Sequence, residues 1–315
     1  PPYRREIPIY TPKDRVGTPY IKIDPKKVIA VVETNSRDNQ PGFKPLDDDT
    51  RAIGAHVSNF LVSELKNGGI PKEFLPLQSG VGNIANAVIG ALGDNPDVPA
   101  FSMFTEVIQN SVMDLIMKGR CNYVTGSSLS LTDDCLDMMY ANMDVFGDRV
   151  LLRSQEITNH PECIRRLGII ALNTALEADI FGNVNSTHVV GTKMMNGIGG
   201  SCDFTRNAYI SIFTTPSTAK GGAISAIVPY VSHVDQSEHS VKVLITEHGV
   251  ADLRGKSPIQ RAECIIENCV DPEYRPLLRK YLAGAPKMHT PLNIDTCFNM
   301  HKAFNATGDM RKAEF

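Results

Sequence analysis

Residues 79–111 read SGVGNIANAVIGALGDNPDVPAFSMFTEVIQNS, and the rest of the chain is arranged around them. Gly80 and Gly82 permit close backbone approach and φ > 0, so the amides around Val81 and Asn83 can point outward together. Residues 84–92 have helical character, with their N-terminus facing whatever lies against the glycine turn. The apolar run 100–104 is expected to be a short buried strand ending at Thr105 and Glu106. Behind it, Ile108, Val112, Leu115 and Ile116 recur at helical spacing until Gly119 stops the helix. A glycine turn and a carboxylate thus fall at two strand-to-helix junctions, neighbours on one edge of a sheet.

Three readings compete for this stretch. In the first, Glu106 is a first-turn glutamate favoured by the helix dipole, and the glycines only turn the chain. In the second, Gly80-x-Gly82-x-x-Ala85 is a dinucleotide-binding turn followed by an acidic residue about 20 positions on. Pro76, central in the strand expected at residues 74–78, counts against that reading. In the third, Glu106 is a nucleophile and the turn amides stabilise an oxyanion.

At 315 residues with 42% hydrophobic content, the chain can bury a substantial core in one large α/β domain or two smaller ones. A net charge of −3 with interspersed signs gives no footing for nucleic acid or an acidic membrane surface. No apolar run reaches the ~18 residues of a membrane span, and the first residues do not form a signal peptide. The chain begins Pro-Pro-Tyr-Arg-Arg without Met, as expected of a piece of something longer. Seven scattered cysteines, odd in number and without a C-x-x-C, read as reduced thiols of a cytosol-like compartment, cytoplasm or an organelle matrix. The histidines show no metal-binding spacing. His233 and His239 flank Asp235 and Glu238, and a polar loop accounts for them more simply than a metal.

Along the chain, residues 1–25 read as an extended connector on a surface, and residues 26–315 as one domain. Residues 27–33 (KVIAVVE) are expected to be the first strand, followed by a polar loop to Asp49. Asp49 or Thr50 caps the first helix, whose apolar face is Ile53, Val57, Phe60, Leu61 and Leu65. Residues 121–125 and 150–152 are strands, the second leading to a polar loop at 155–161. Residues 169–180 and 184 onward suggest a hairpin turned by Gly182 and Asn183. A second glycine-dense segment, MMNGIGGSCDF at 194–204, offers Gly197, Gly199 and Gly200 either as anion-binding amides or as a tight turn. Strands at 209–213, 224–231 and 241–246 follow, and Lys220 beside Gly221 and Gly222 suits a phosphate contact or a solvated turn. From residue 247 the chain reads as helical, with a Ser257-Pro258-Ile259-Gln260 capping box. The alternation of strands and helices predicts an α/β fold: an open, mostly parallel sheet flanked by helices, with some antiparallel strands.

Several long segments resemble the acetyl-CoA hydrolase/transferase family, the class I CoA-transferases acting on acetate and succinate. They are LPLQSGVGNIANAV, FTEVIQNSVMDLI, NVNSTHVVGTKMMNGIGGSCDFTRNAYISIFTT, IVPYVSHVD and TEHGVADLRGKSP, spread in order over almost the whole chain. The resemblance implies a CoA-transferase-like fold and the C-terminal, catalytic half of such an enzyme, with the N-terminal half as a partner. It implies a glutamate nucleophile at Glu106 in TEVIQ, oxyanion donors at Val81 and Gly200, and a second acidic position at Glu247. CoA contacts are implied at Gly80, Val81, Gly82, Asn83, Ile84, Asn196, Gly200 and Lys220. Cys202 departs from the pattern, which favours glycine there. Coenzyme A is then a substrate rather than a resident cofactor, small carboxylates are the other substrates, and a homo-oligomer, a dimer, is implied.

Overall fold

The computed structural model describes residues 5–37 and 45–315; the first four residues of the expected connector and part of the expected polar loop lie outside it. Eight strands form the main sheet: β1 (Leu77–Ser79), β2 (Phe101–Phe104), β3 (Cys121–Gly126), β4 (Val150–Leu152), β5 (Ile170–Thr174), β6 (Ile210–Thr214), β7 (Val243–Thr246) and β8 (Gly249–Asp252). Their spatial order is β8-β7-β6-β5-β1-β2-β3-β4, and every pairing is parallel except the β7–β8 hairpin at one edge. The chain starts in the middle at β1, runs outward through β2 to β4, then returns to β5 and builds the other half. That reversal places a topological switch point between β1 and β5, where doubly wound sheets open a crevice beyond the carboxyl ends of their strands.

Strands buried on both faces read as nearly continuous apolar runs, and both faces of this sheet are covered. On one side pack α1 (Asp48–Lys66), α2 (Asn83–Asp94) and α3 (Asn110–Met117), through Ile53, Val57, Leu61, Val88, Leu92, Val112 and Leu115. On the other, Phe104, Cys163, Ile164, Ala171 and Phe204 enclose Ile9, which is fully buried. A third core joins the small sheet around residues 177–185 and 227–228 to the C-terminal helices. Ile9 and the backbone carbonyls of Ile7 and Ile9, which accept from Arg166 at 2.8 and 3.1 Å, pin the N-terminal extension to this body.

Several expectations are corrected. Residues 27–33 form no strand and are exposed, because their backbone has no neighbouring strand to pair with among the described residues. Asp47, not Asp49 or Thr50, caps α1, its carboxylate accepting from Thr50 N at 2.9 Å. Pro76 does not interrupt a strand, since β1 begins one residue after it. Ile108 lies in a short strand, Val107–Gln109, so α3 begins four residues beyond Glu106 and the carboxylate is not on a helix head. The segment at 155–161 holds a one-turn helix, Gln155–Thr158. The expected arm 169–180 divides into β5 and a strand of the small sheet (Glu177–Asp179), and only the latter pairs antiparallel across the Gly182 turn. Residues 224–231 break into two short strands, and after residue 247 the chain first makes β8 before turning helical. The capping box at Ser257 is present as expected.

A candidate active site at the switch point

A cavity of about 460 Å³ lies at the carboxyl ends of β1 and β5. Gln78, Ser79, Gly80 and Val81 form one wall, Asn173 to Leu176 a second, and residues 196–201 a third; Glu106 lies between them. Of the residues singled out in the sequence, Gly80, Val81, Glu106, Asn196 and Gly200 meet here. Gly82, Asn83 and Ile84 sit just outside, at the start of α2, while Lys220 and Glu247 do not line the cavity.

Glu106 is fixed first by its backbone. Its carbonyl accepts from Ser127 N at 2.7 Å, Ser127 Oγ at 2.9 Å and Ser128 N at 3.2 Å, tying it to the end of β3. Its carboxylate accepts from two side-chain amides, Asn159 Nδ2 at 3.1 Å and Gln155 Nε2 at 3.4 Å, and pairs with no cation among the described residues. Asn159 is itself oriented, because Thr158 Oγ1 donates to its Oδ1 at 2.8 Å. Two neutral donors hold the carboxylate without neutralising it.

The two glycine segments differ in how they are built. Gly82 has φ 103°, a conformation open to glycine, and it ends the turn before α2 with no side-chain cap. Its N–H donates to Gln109 Oε1 at 2.9 Å, while Gln109 Nε2 donates back to Gly80 O at 3.2 Å. Gln109 therefore clamps the turn and consumes the Gly82 donor, leaving the Val81 N–H without an acceptor among the described residues. Gly200, the residue before helix α4 (Ser201–Asn207), lies against the carboxylate. A Cβ there would come within 2.2 Å of Glu106 Oε2 and 2.4 Å of Asn159 Nδ2. Only glycine fits while the carboxylate stays in place. The Gly200 N–H also donates to no described residue.

Asp203, in the first turn of α4, feels this arrangement: burial first, and the Glu106 charge next, push its pKa up, while the Asn159 amide works against the rise. Asn196 is exposed, donating from its side chain to Ser186 O at 3.2 Å. Lys220 is exposed at φ 51°, its ammonium 5.0 Å from the Phe304 ring centre. Glu247 follows β7, where its carboxylate accepts from Ser217 N at 2.8 Å and from the Ser217 hydroxyl, with His248 Nε2 at 3.4 Å. Around Asp235, His233 Nε2 is 3.3 Å from one carboxylate oxygen while Ser186 N and Thr187 Oγ1 bond the other, and no metal-binding cluster occurs among the described residues. Sequence reasoning missed Asn159, Gln155 and Asp203 as neighbours of Glu106. The signal for Gln155 and Asn159 was a polar run at a strand end, and for Asp203 its place in the glycine-dense segment at 194–204.

The open, mostly parallel sheet flanked by helices is a CoA-transferase-like fold. A 4-hydroxybutyrate CoA-transferase from Porphyromonas gingivalis superposes with a TM-score of 0.58 at 27% identity, over 75% of this chain and 55% of its own. The sequence profile of the acetyl-CoA hydrolase/transferase C-terminal domain matches residues 136–282. A propanoyl-CoA:succinate CoA transferase of Escherichia coli K12 is 54% identical over 310 residues, covering 98% of this chain and 63% of that one. An acetyl-CoA hydrolase of Saccharomyces cerevisiae is 44% identical over 322 residues, covering 99% of this chain and 61% of that one. The chain belongs to the acetyl-CoA hydrolase/transferase family. It spans about three fifths of the length of these two curated relatives.

Proposed function

We propose that this chain is the catalytic half of a CoA-transferase that moves CoA between a short acyl-CoA and a carboxylate of the acetate or succinate type. The observation that carries the proposal is Glu106: an uncompensated carboxylate facing a cavity, held by amides and pressed against Gly200. A carboxylate is a weak nucleophile, but the anhydride it forms keeps the acyl group activated. One carboxylate oxygen attacks the thioester carbonyl, CoA thiolate leaves, and an acyl-glutamyl anhydride remains. The thiolate then attacks the glutamyl carbonyl, expelling the first carboxylate and leaving a glutamyl-CoA thioester. An incoming carboxylate reverses these steps.

Each tetrahedral intermediate carries an oxyanion. The Val81 and Gly200 N–H groups are the donors assigned to it, and losing one such donor typically costs about 3–4 kcal/mol of barrier. The far end of CoA is assigned to the cavity rim: Gly80 to Ile84, where the uncapped start of α2 favours anions, with Asn196 and exposed Lys220. Glu247 enters as a positioning residue, bracing the backbone at Ser217 from outside the cavity. The N-terminal half, supplied by the longer protein, excludes water from both intermediates.

A hydrolase uses the same intermediate with water as acceptor, and relatives of both kinds are similar to this chain. The strand–turn–helix at Gly80 would also suit a dinucleotide, but that reading leaves Glu106 and its amides without work. Incubating the full-length protein with acetyl-CoA, with and without succinate, separates these outcomes. Succinyl-CoA formation supports transfer, free CoA alone supports hydrolysis, and NAD binding without CoA binding would overturn both.

A further inference from the structure

Residues 28–33 read VIAVVE, and their side chains are in the wrong solvent. Ile29 is 99% exposed, Val31 85% and Val32 82%. Upstream, beyond the single turn Pro25–Lys27 capped by Asp24, Ile21 is 88% exposed and Tyr20 64%. No backbone group from Ile29 to Glu33 bonds any described residue. The segment is rich in β-branched residues but pairs with no strand among the described residues.

Its pattern says what kind of sheet it lacks. A strand with one wet face alternates apolar and polar residues; this one is apolar at consecutive positions, so both faces require cover. That is the signature of an inner strand in a sheet flanked on both sides. The inner positions of this domain's sheet are filled around β1 and β5. Tyr20 and Ile21 border a cleft beside Leu151 and Leu152 of its edge strand β4. Residues 28–33 pair with no strand of it, although Ile9 upstream is fully buried in the core. The similar curated relatives carry more than a third of their length outside the region this chain matches, enough for another layered domain.

We propose that residues 28–33 are an inner strand of a second β-sheet, built by the portion of the full-length protein that this chain does not cover. The two halves are then joined by a shared element rather than a loose tether. Ile9 and Arg166 hold the extension to this domain before the strand, and Arg37, 3.0 Å from the Asp137 carboxylate, touches it again after; the strand between them enters the other half. The inference holds whatever reaction the site performs, and its test involves no turnover.

Hydrogen exchange followed by mass spectrometry on the full-length protein and on the 315-residue chain reads it directly. Amides of residues 29–33 exchange at least about a hundredfold more slowly in the full-length protein and at coil rates in the shorter chain. Equally fast exchange in both overturns the proposal. So does protection in the shorter chain that grows with protein concentration, which would make a second copy the occupant. Val31→Asp supplies a second readout: it exposes residues 20–37 to limited proteolysis in the full-length protein and leaves the melting temperature of the shorter chain unchanged. A variant that resists proteolysis as well as wild type contradicts the inference.

Discussion

Glu106 and Glu247 stand at the carboxyl ends of strands in one sheet, yet the fold treats them differently. Glu106 faces the cavity and accepts two side-chain amide bonds at 3.1 and 3.4 Å. Glu247 lies off the cavity and accepts from both the backbone N–H and the hydroxyl of Ser217, with His248 Nε2 at 3.4 Å and its own carbonyl 3.1 Å from His56 Nε2. Strong donors stabilise a carboxylate and lower its nucleophilicity together. On the proposed function, the glutamate that attacks is held loosely by two side-chain amides, whereas the one that braces accepts from a backbone N–H and a hydroxyl.

Variants of the full-length enzyme can break this contrast. Glu106→Gln removes the attacking oxygen at nearly constant shape, so kcat falls by at least about a thousandfold in a coupled transfer assay while CoA binding persists. Near-normal turnover would remove Glu106 from the chemistry. Gly200→Ala places a methyl group where the carboxylate and Asn159 now sit. A displacement of about 1 Å costs roughly a hundredfold in kcat, and the loss should exceed that of alanine at solvent-facing Gly197. Asn159→Ala deletes the better of the two amide bonds; at about 1.5–3 kcal/mol for a bond to a charged group, kcat drops roughly 10- to 100-fold. Glu247→Gln is expected to act mainly on the fold, lowering urea stability by about 1–3 kcal/mol with a smaller change in kcat. The reverse split would make Glu247 a member of the reacting set.

A third carboxylate sharpens the comparison through pH. Glu177 is buried against His301, Ser232 and Asn185. Burial alone would raise its pKa, but the His301 contact and the Ser232 and Asn185 donors outweigh it and hold the group below the usual glutamate value. A depressed folded-state pKa contributes stability that is present above the unfolded pKa and lost as pH falls through the folded one. Chemical denaturation below about pH 4.5 should therefore show a steep acid limb that Glu177→Gln flattens. An unchanged limb would mean that Glu177 is not the group being titrated.

Much of this arrangement was legible in the sequence, and the exceptions share a cause. The glycine turn, the strand before Glu106 and the Ser257 capping box are local features, set by backbone freedom and short-range bonding. So were the parallel strands, because burial on both faces writes itself as apolar runs. Asn159 and Asp203 could not be read as neighbours of Glu106: they lie 53 and 97 positions away, and only the order of strands brings them together. Residues 27–33 fail in the opposite sense. Their local preference for a strand is clear, but no strand among the described residues pairs with them, so the preference is not realised in this structure.

The central claim, that Glu106 becomes acylated and then thioesterified, is tested most directly by covalent trapping. The full-length protein is incubated with acetyl-CoA, treated with borohydride to reduce any thioester, digested and mapped by mass spectrometry. The account predicts reduction of the Glu106 side chain to an alcohol, dependent on acyl-CoA and absent in Glu106→Gln. Modification at Glu247 instead, or turnover with no trapped residue, would contradict it.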